Sequence, residues 1–177
     1  MTNDFSPPPI HDFPDRGVKW LLEFTPNLRG LMNIIAPDLA QQIDFDRLER
    51  IPTSFIPDNL RQQESDLLFR LPFLDPRTQQ TREIWIYLLI EHQSTPDPSM
   101  GFRFLFYMLQ VWDLQRRQWV ADELPVSQWR FAPILPVLFY TGSRTWDDPI
   151  TITTLMDVPE ELTRFVPQHD VLRLNLK

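Results

Sequence analysis

The stretch EIWIYLLIEHQ at residues 83–93 limits the possible folds more than any other part of the chain. Read with the two-residue period of a strand, it puts Ile84, Ile86, Leu88 and Ile90 on one face and Trp85, Tyr87 and Leu89 on the other. Polar character arrives only at the end, with Glu91 and Gln93 continuing the second face. A strand that is apolar on both faces has to lie inside a sheet whose two sides are both covered, and helices are the usual cover. The expected class is α/β, a central sheet flanked by helices.

The other elements follow from their own periods. Residues 16–24 predict a short helix, and Thr25-Pro26 reads as an N-cap followed by proline at the first helical position. Leu28, Leu31, Met32 and Ile35 fall at i, i+3, i+4 and i+7, one apolar stripe of a second helix that Ala36-Pro37 ends. A further helical turn is expected over 38–43. The period then changes to that of strands. Residues 51–56 form a weak candidate, and 65–71 a half-buried strand beginning at Asp66, with Leu67, Phe69 and Leu71 on one face and Leu68 and Arg70 on the other. STPDPS at 94–99 is a loop, and 101–119 reads as a long aromatic helix with Arg116 and Arg117 near its C-terminal end, where cations favour the dipole. Residues 135–140 suit an interior strand, closed by a Thr141-Gly142 turn, and 171–176 suit one more. A core strand so near Lys177 suggests a truncated sequence.

With 177 residues, 42% of them hydrophobic, the chain is expected to form one domain over 16–177, behind a flexible, proline-rich lead-in at 1–15. No apolar run approaches the roughly 18 residues of a membrane span, and no signal peptide precedes the domain, so a cytoplasmic location and no membrane partner are expected. The absence of cysteine excludes thiolate ligands and nucleophiles, leaving oxygen or imidazole to hold any metal. A net charge of −7 has the wrong sign for coating nucleic acid by bulk attraction, so a nucleic-acid partner would need local basic patches.

If the strands at 65–71 and 83–93 form a hairpin bent near Thr78 and Gln79, position 66 faces position 91. Asp66 and Glu91 are then cross-strand neighbours with Cβ atoms on the order of 5 Å apart, and Gln93 shares their face. Two carboxylates that close repel unless a cation lies between them, and hard oxygen ligands suit magnesium or manganese. A more ordinary arrangement is open as well. Asp66 could cap a solvated turn, and Glu91 could reach water or pair with Arg70 or Arg103. His92 lies on the aliphatic side with Ile90 and suits a packed histidine better than a ligand, although its backbone carbonyl could face a metal.

The stretches ESDLLFRLPF, IYLLIEHQSTPDPSMGFRFLFYMLQVW and PILPVLFYTGSRTW closely resemble the recombination-promoting nuclease and putative transposase family, a YhgA-like branch of the PD-(D/E)XK nuclease superfamily. The resemblance runs from His11-Asp12 to the C-terminus, and its most specific part is LIEHQS followed by a short loop and an aromatic helix. Members are typically longer, which agrees with truncation. The resemblance implies a restriction-endonuclease-like α-β-β-β-α-β core with a mixed central sheet. It also implies a magnesium-dependent DNA endonuclease, with manganese as the substitute ion and little sequence specificity, since no major-groove reading module is evident. Asp66 matches the metal-binding aspartate, Glu91 the glutamate of the E-x-K element, and Gln93 the position where the superfamily usually has lysine. The His92 backbone carbonyl is implied as a further metal ligand. An amide at Gln93 can orient a water but cannot take its proton. That departure motivates an alternative, a catalytically inactive nuclease-fold module for binding or interaction. DNA and RNA are not separated as substrates. His11-Asp12 is read as a helix cap, and Arg103, Arg116, Arg117, Arg130 and Arg144 as the cations available to phosphates. Double-strand cutting would call for cooperating copies, a homo-oligomer that nothing in the sequence visibly encodes.

Overall fold

The computed structural model describes residues 13–54, 67–91, 96–142 and 144–175. Helix α1 (Phe13–Leu22) begins ahead of the expected Arg16, and α2 (Thr25–Ile35) follows it. Thr25 lies inside α2 and does not cap it. Phe24 holds the extended N-cap backbone, Thr25 and Pro26 occupy the first turn, and no side chain bonds to the helix end. Proline suits that turn because the amide it lacks would have no intrahelical partner there. Leu28, Leu31 and Met32 are buried as their spacing predicts. The backbone leaves helical angles at Ala36, and a single further turn, α3 (Pro37–Ala40), takes up part of the segment expected at 38–43.

Five strands form one sheet in chain order: β1 (Glu49–Ile51), β2 (Leu67–Leu74), β3 (Thr81–Glu91), β4 (Ile134–Tyr140) and β5 (Leu172–Asn175). The strand expected at 51–56 has Ile51 as its last residue in β1; 55–66 lie outside the described residues. The first three strands are antiparallel neighbours, while β3–β4 and β4–β5 are parallel. Parallel pairing needs a crossover, and helix α4 (Met100–Ala121) supplies it between β3 and β4. The result is the mixed sheet and helix order of a restriction-endonuclease-like core.

Alternation along the strands divides the core into two layers. Leu67, Phe69 and Leu71 of β2 join Ile84, Ile86 and Leu88 of β3 against Leu28, Leu31 and Met32 of α2. On the opposite face Leu68, Trp85, Leu138 and Tyr140 pack with Phe104, Tyr107 and Val111 of α4. Strand β2 is therefore buried on both sides, not half-buried, because α4 covers Leu68 as fully as α2 covers Phe69. Each such side chain removed from water contributes roughly 1.5–3 kcal/mol, which fits the aliphatic and aromatic run from Ile84 to Leu88 in β3.

The β2–β3 register departs from the expected one. Leu74 pairs with Thr81, and Leu67 lies opposite Leu88 where the expected bend would have set it opposite Ile90. Hydrogen bonds in the turn account for the shift. The Asp75 carboxylate accepts from the amides of Arg77 at 2.9 Å and Thr78 at 3.3 Å, and the Gln79 amide donates to the Asp75 carbonyl at 2.8 Å. Gln79 takes a φ of 58°, a left-handed conformation that these bonds hold in place. The bend is centred one residue earlier than expected, which slides the strands by two and leaves each side chain on its expected face.

Candidate active site

Strands β3, β4 and β5 end side by side. Glu91, the last residue of β3, has Tyr140 of β4 as its Cα partner, and Tyr140 has Asn175 of β5. Parallel neighbours stand about 4.8 Å apart, so a glutamate, a tyrosine and an asparagine form a row across the carboxyl ends of three parallel strands. Ligands of α/β sheets commonly bind at that edge.

Of the residues expected to carry chemistry, Glu91 is the one whose backbone is described. Asp66, His92 and Gln93 lie outside the described residues, as do His11 and Asp12. The observed register does not carry the direct pairing of positions 66 and 91 on which the sequence-based hairpin relied. Among the described residues, no three His, Asp or Glu side chains converge as a metal site. No helix among them is long and apolar enough to cross a membrane.

Just ahead of α4, Asp97 organises the approach to the helix. Its carboxylate accepts from the Ser99 amide at 2.8 Å, the Ser99 hydroxyl at 2.7 Å and the Arg103 guanidinium at 3.2 Å. Burial pushes the Asp97 carboxyl up, but the bonds from Ser99 and Arg103 outweigh it and hold the group below the ordinary carboxylate range. One turn along, α4 passes so close to the segment after β4 that a Cβ on Gly101 would come within 2.3 Å of the Thr151 carbonyl carbon and oxygen. A cleft of about 480 Å³ opens beside this crossing, lined by Asp97, Gly101, Arg144, Trp146, Asp148 and Thr154 among others. Trp146 joins cleft and strand row, since its ring packs edge-on against Tyr140 with centroids 5.2 Å apart.

The five arginines considered for phosphate contact divide by environment. Arg103 is 13% exposed and bound to Asp97. Arg116 and Arg117 both pair with Asp113, at 2.8 and 3.1 Å, a full turn before the end of α4 and so not at the dipole position expected for them. Arg130 donates to the carbonyls of Ser127 and Trp129. Arg144 lines the cleft. Arg70, which the ordinary arrangement paired with Glu91, instead binds Glu49 across β1–β2 and lies 3.7 Å from Glu83.

Tyr140 was not singled out in the sequence. Its signal was available, because a tyrosine closing an interior strand must either find a partner for its hydroxyl or leave it unpaired. It is fully buried, and that hydroxyl has no hydrogen-bond partner.

Residues 15–176 match the family model described as "Putative transposase, YhgA-like". The chain is 34% identical to recombination-promoting nuclease RpnD of Escherichia coli O157:H7 over 66% of its own length and 40% of the relative's. It is 33% identical to the inactive recombination-promoting nuclease-like protein RpnE of E. coli K12, over 67% of its own length and 36% of the relative's. It is 28% identical to recombination-promoting nuclease RpnC of the same strain, over 74% and 39%. The chain thus spans well under half the length of these relatives. No solved structure matches it.

Proposed function

We propose, from the premise that the chain belongs to the YhgA-like putative transposase family, that it hydrolyses phosphodiester bonds in DNA with a bound divalent cation and little base specificity. The observation that carries this reading is the place of Glu91. It is the first acidic residue after an apolar run, and it stands where parallel strands end, beside the tyrosine that backs the cleft wall at Trp146. Strand β2, which Asp66 precedes in the sequence, pairs with β3, which Glu91 ends, and two carboxylates can share one ion.

In this reading Asp66, Glu91 and the His92 backbone carbonyl hold magnesium or manganese, a hard-oxygen donor set suited to either ion. The chemistry such a cation would supply is polarisation of a phosphoryl oxygen and a lowered pKa for a bound water. Gln93 would orient the water by hydrogen bonding, and the water's proton would pass to a phosphate oxygen of the substrate or to a second water, because an amide has no basic lone pair near neutral pH. Arg144, on the cleft wall, takes a non-bridging phosphate oxygen. A cut through both strands would need two copies to act together.

A second reading is favoured by the naming of RpnE as inactive: the chain would then keep the fold as a module that binds without cutting. Supercoiled plasmid incubated with the purified chain, with and without magnesium, separates the two. Magnesium-dependent nicking is expected from the parent, reduced about a hundredfold or more in Asp66→Ala and in Glu91→Ala, since each removes a metal ligand. Nicking that survives both substitutions overturns the site, and a folded parent that never nicks supports the binding module.

A further inference from the structure

The cleft beside the crossing of α4 is larger than a single phosphate contact requires. Its volume of about 480 Å³ falls within the range of small-molecule sites, roughly 300–1,000 Å³. Both of its walls are fixed by bonds from elsewhere in the fold. On one side the Arg173 guanidinium donates to the Asp148 carbonyl at 3.0 Å and the Asn175 side-chain amide to the Trp146 carbonyl at 3.2 Å, so two side chains of β5 pin the segment after β4. On the other, Asp97 holds the start of α4 through Ser99 and Arg103. The close approach of Gly101 to the Thr151 backbone sets the spacing between the two. The cleft is thus formed before any ligand arrives.

Its lining combines three chemistries. Pro98, Met100 and Ile150 supply apolar surface. Arg144 and Asp148 bring opposite charges; both are exposed, and among the described residues neither side chain has an ion-pair or hydrogen-bond partner, the other included. A site for a simple anion has no use for an unpaired carboxylate, nor a site for a simple cation for an unpaired guanidinium. A nucleotide uses both. Its phosphate suits the guanidinium, its base has apolar faces, and the Watson–Crick edge of the base carries an N–H that a carboxylate can accept. In a duplex that N–H is taken by the opposite base and the faces are stacked. Resting on DNA as the substrate proposed above, we infer that the cleft receives one unpaired nucleotide, its phosphate on Arg144 and its base edge on Asp148. All four bases carry an N–H on that edge, so Asp148 separates unpaired from paired bases without choosing among the four, in keeping with little base specificity. The substrate class is DNA with a single-stranded or extrahelical nucleotide.

The test is fluorescence anisotropy of the full chain in EDTA, so that no strand is cut, with three labelled duplexes of one sequence: fully paired, with one extrahelical guanine nucleotide, and with one extrahelical abasic nucleotide. The guanine bulge is expected to bind about tenfold more tightly than either of the others. Asp148→Ala should remove that preference and leave the affinity for the paired duplex near the parent's, whereas Arg144→Ala should weaken all three by a similar factor, because every nucleotide has the phosphate. Both positions are exposed, and an unchanged melting temperature checks the fold of each variant. Equal affinity of the parent for the guanine and abasic bulges overturns the base pocket and leaves DNA as the ligand. A guanine preference that survives in folded Asp148→Ala overturns it as well. If the parent binds none of the three duplexes, DNA as the substrate fails and the pocket fails with it. A guanine preference lost in Asp148→Ala, in a chain that never nicks plasmid, upholds the cleft and assigns it to the binding module.

Discussion

Two glycines in helices show how far a single methyl group can matter in this protein. At Gly101 a Cβ would meet the Thr151 backbone at 2.3 Å, whereas at Gly30 it would meet nothing within 4 Å. Backbone cannot swing aside as a side-chain tip can, so Gly101→Ala has to push α4 away from the segment after β4. It is expected to cost about 1–3 kcal/mol, the range for overpacking. Gly30→Ala, at a half-buried position of α2 with open space where the methyl would go, gains helix propensity and should stabilise by up to about 1 kcal/mol. Urea denaturation of the two variants beside the parent checks both signs, and an equal effect at the two sites would contradict the close approach. The sequence placed Gly101 at the start of an aromatic helix, but its reason for being glycine could not be read there. That reason is the Thr151 backbone, which only the folded chain brings alongside.

At the level of elements, α4 is tied to the loop before it by Asp97. The carboxylate collects the Ser99 amide, the Ser99 hydroxyl and Arg103, and its pKa lies below the ordinary 3.8. A depressed carboxyl contributes stability that is fully present above its unfolded-state value and is lost as pH falls through the lower folded one. Asp97→Asn should therefore destabilise the protein at neutral pH by about 1.5–3 kcal/mol, as for hydrogen bonds to a charged group. The gap from the parent should close as acid protonates Asp97 in the parent too. Denaturation curves from neutral to acid pH measure this, and a gap that does not change with pH would remove the charge from the explanation. The elements themselves were largely legible: alternation at Ile84, Trp85, Ile86 and Leu88 gave β3, and the apolar stripe of α2 gave that helix. The register was not, because it is decided by the Asp75 side chain and the left-handed Gln79, features of a turn that strand alternation does not record. Nor could alternation tell that Leu68 would be covered by α4, since helix placement over a sheet depends on the crossover as a whole.

Across the whole molecule, a net charge of −7 means that any hold on DNA must be local. Arg144 lines the cleft, while Arg116 and Arg117 are committed to Asp113. Arg144→Ala is expected to weaken DNA binding similarly for all sequences and to reduce the slope of log affinity against log salt by about 1, whereas Arg116→Ala leaves both near the parent's values. Fluorescence anisotropy over a salt series would show it, and equal slopes for Arg144→Ala and the parent would take Arg144 off the phosphate. The overall class was readable from one doubly apolar strand. The cleft was not, because its walls come from the segment before α4 and the one after β4, far apart in sequence.

The strands occupy the sheet in the order in which a ribosome makes them, β1 through β5. Each new strand can add to one already in place, the two longest steps before β5 being the connection from Ile51 to Leu67 and the crossover through α4 to β4. Glu91 is synthesised well before Tyr140, its Cα partner on β4. A chain halted within α4 would leave the last residue of β3 on an unpaired edge, so the row of polar strand ends is complete only once β5 has been made.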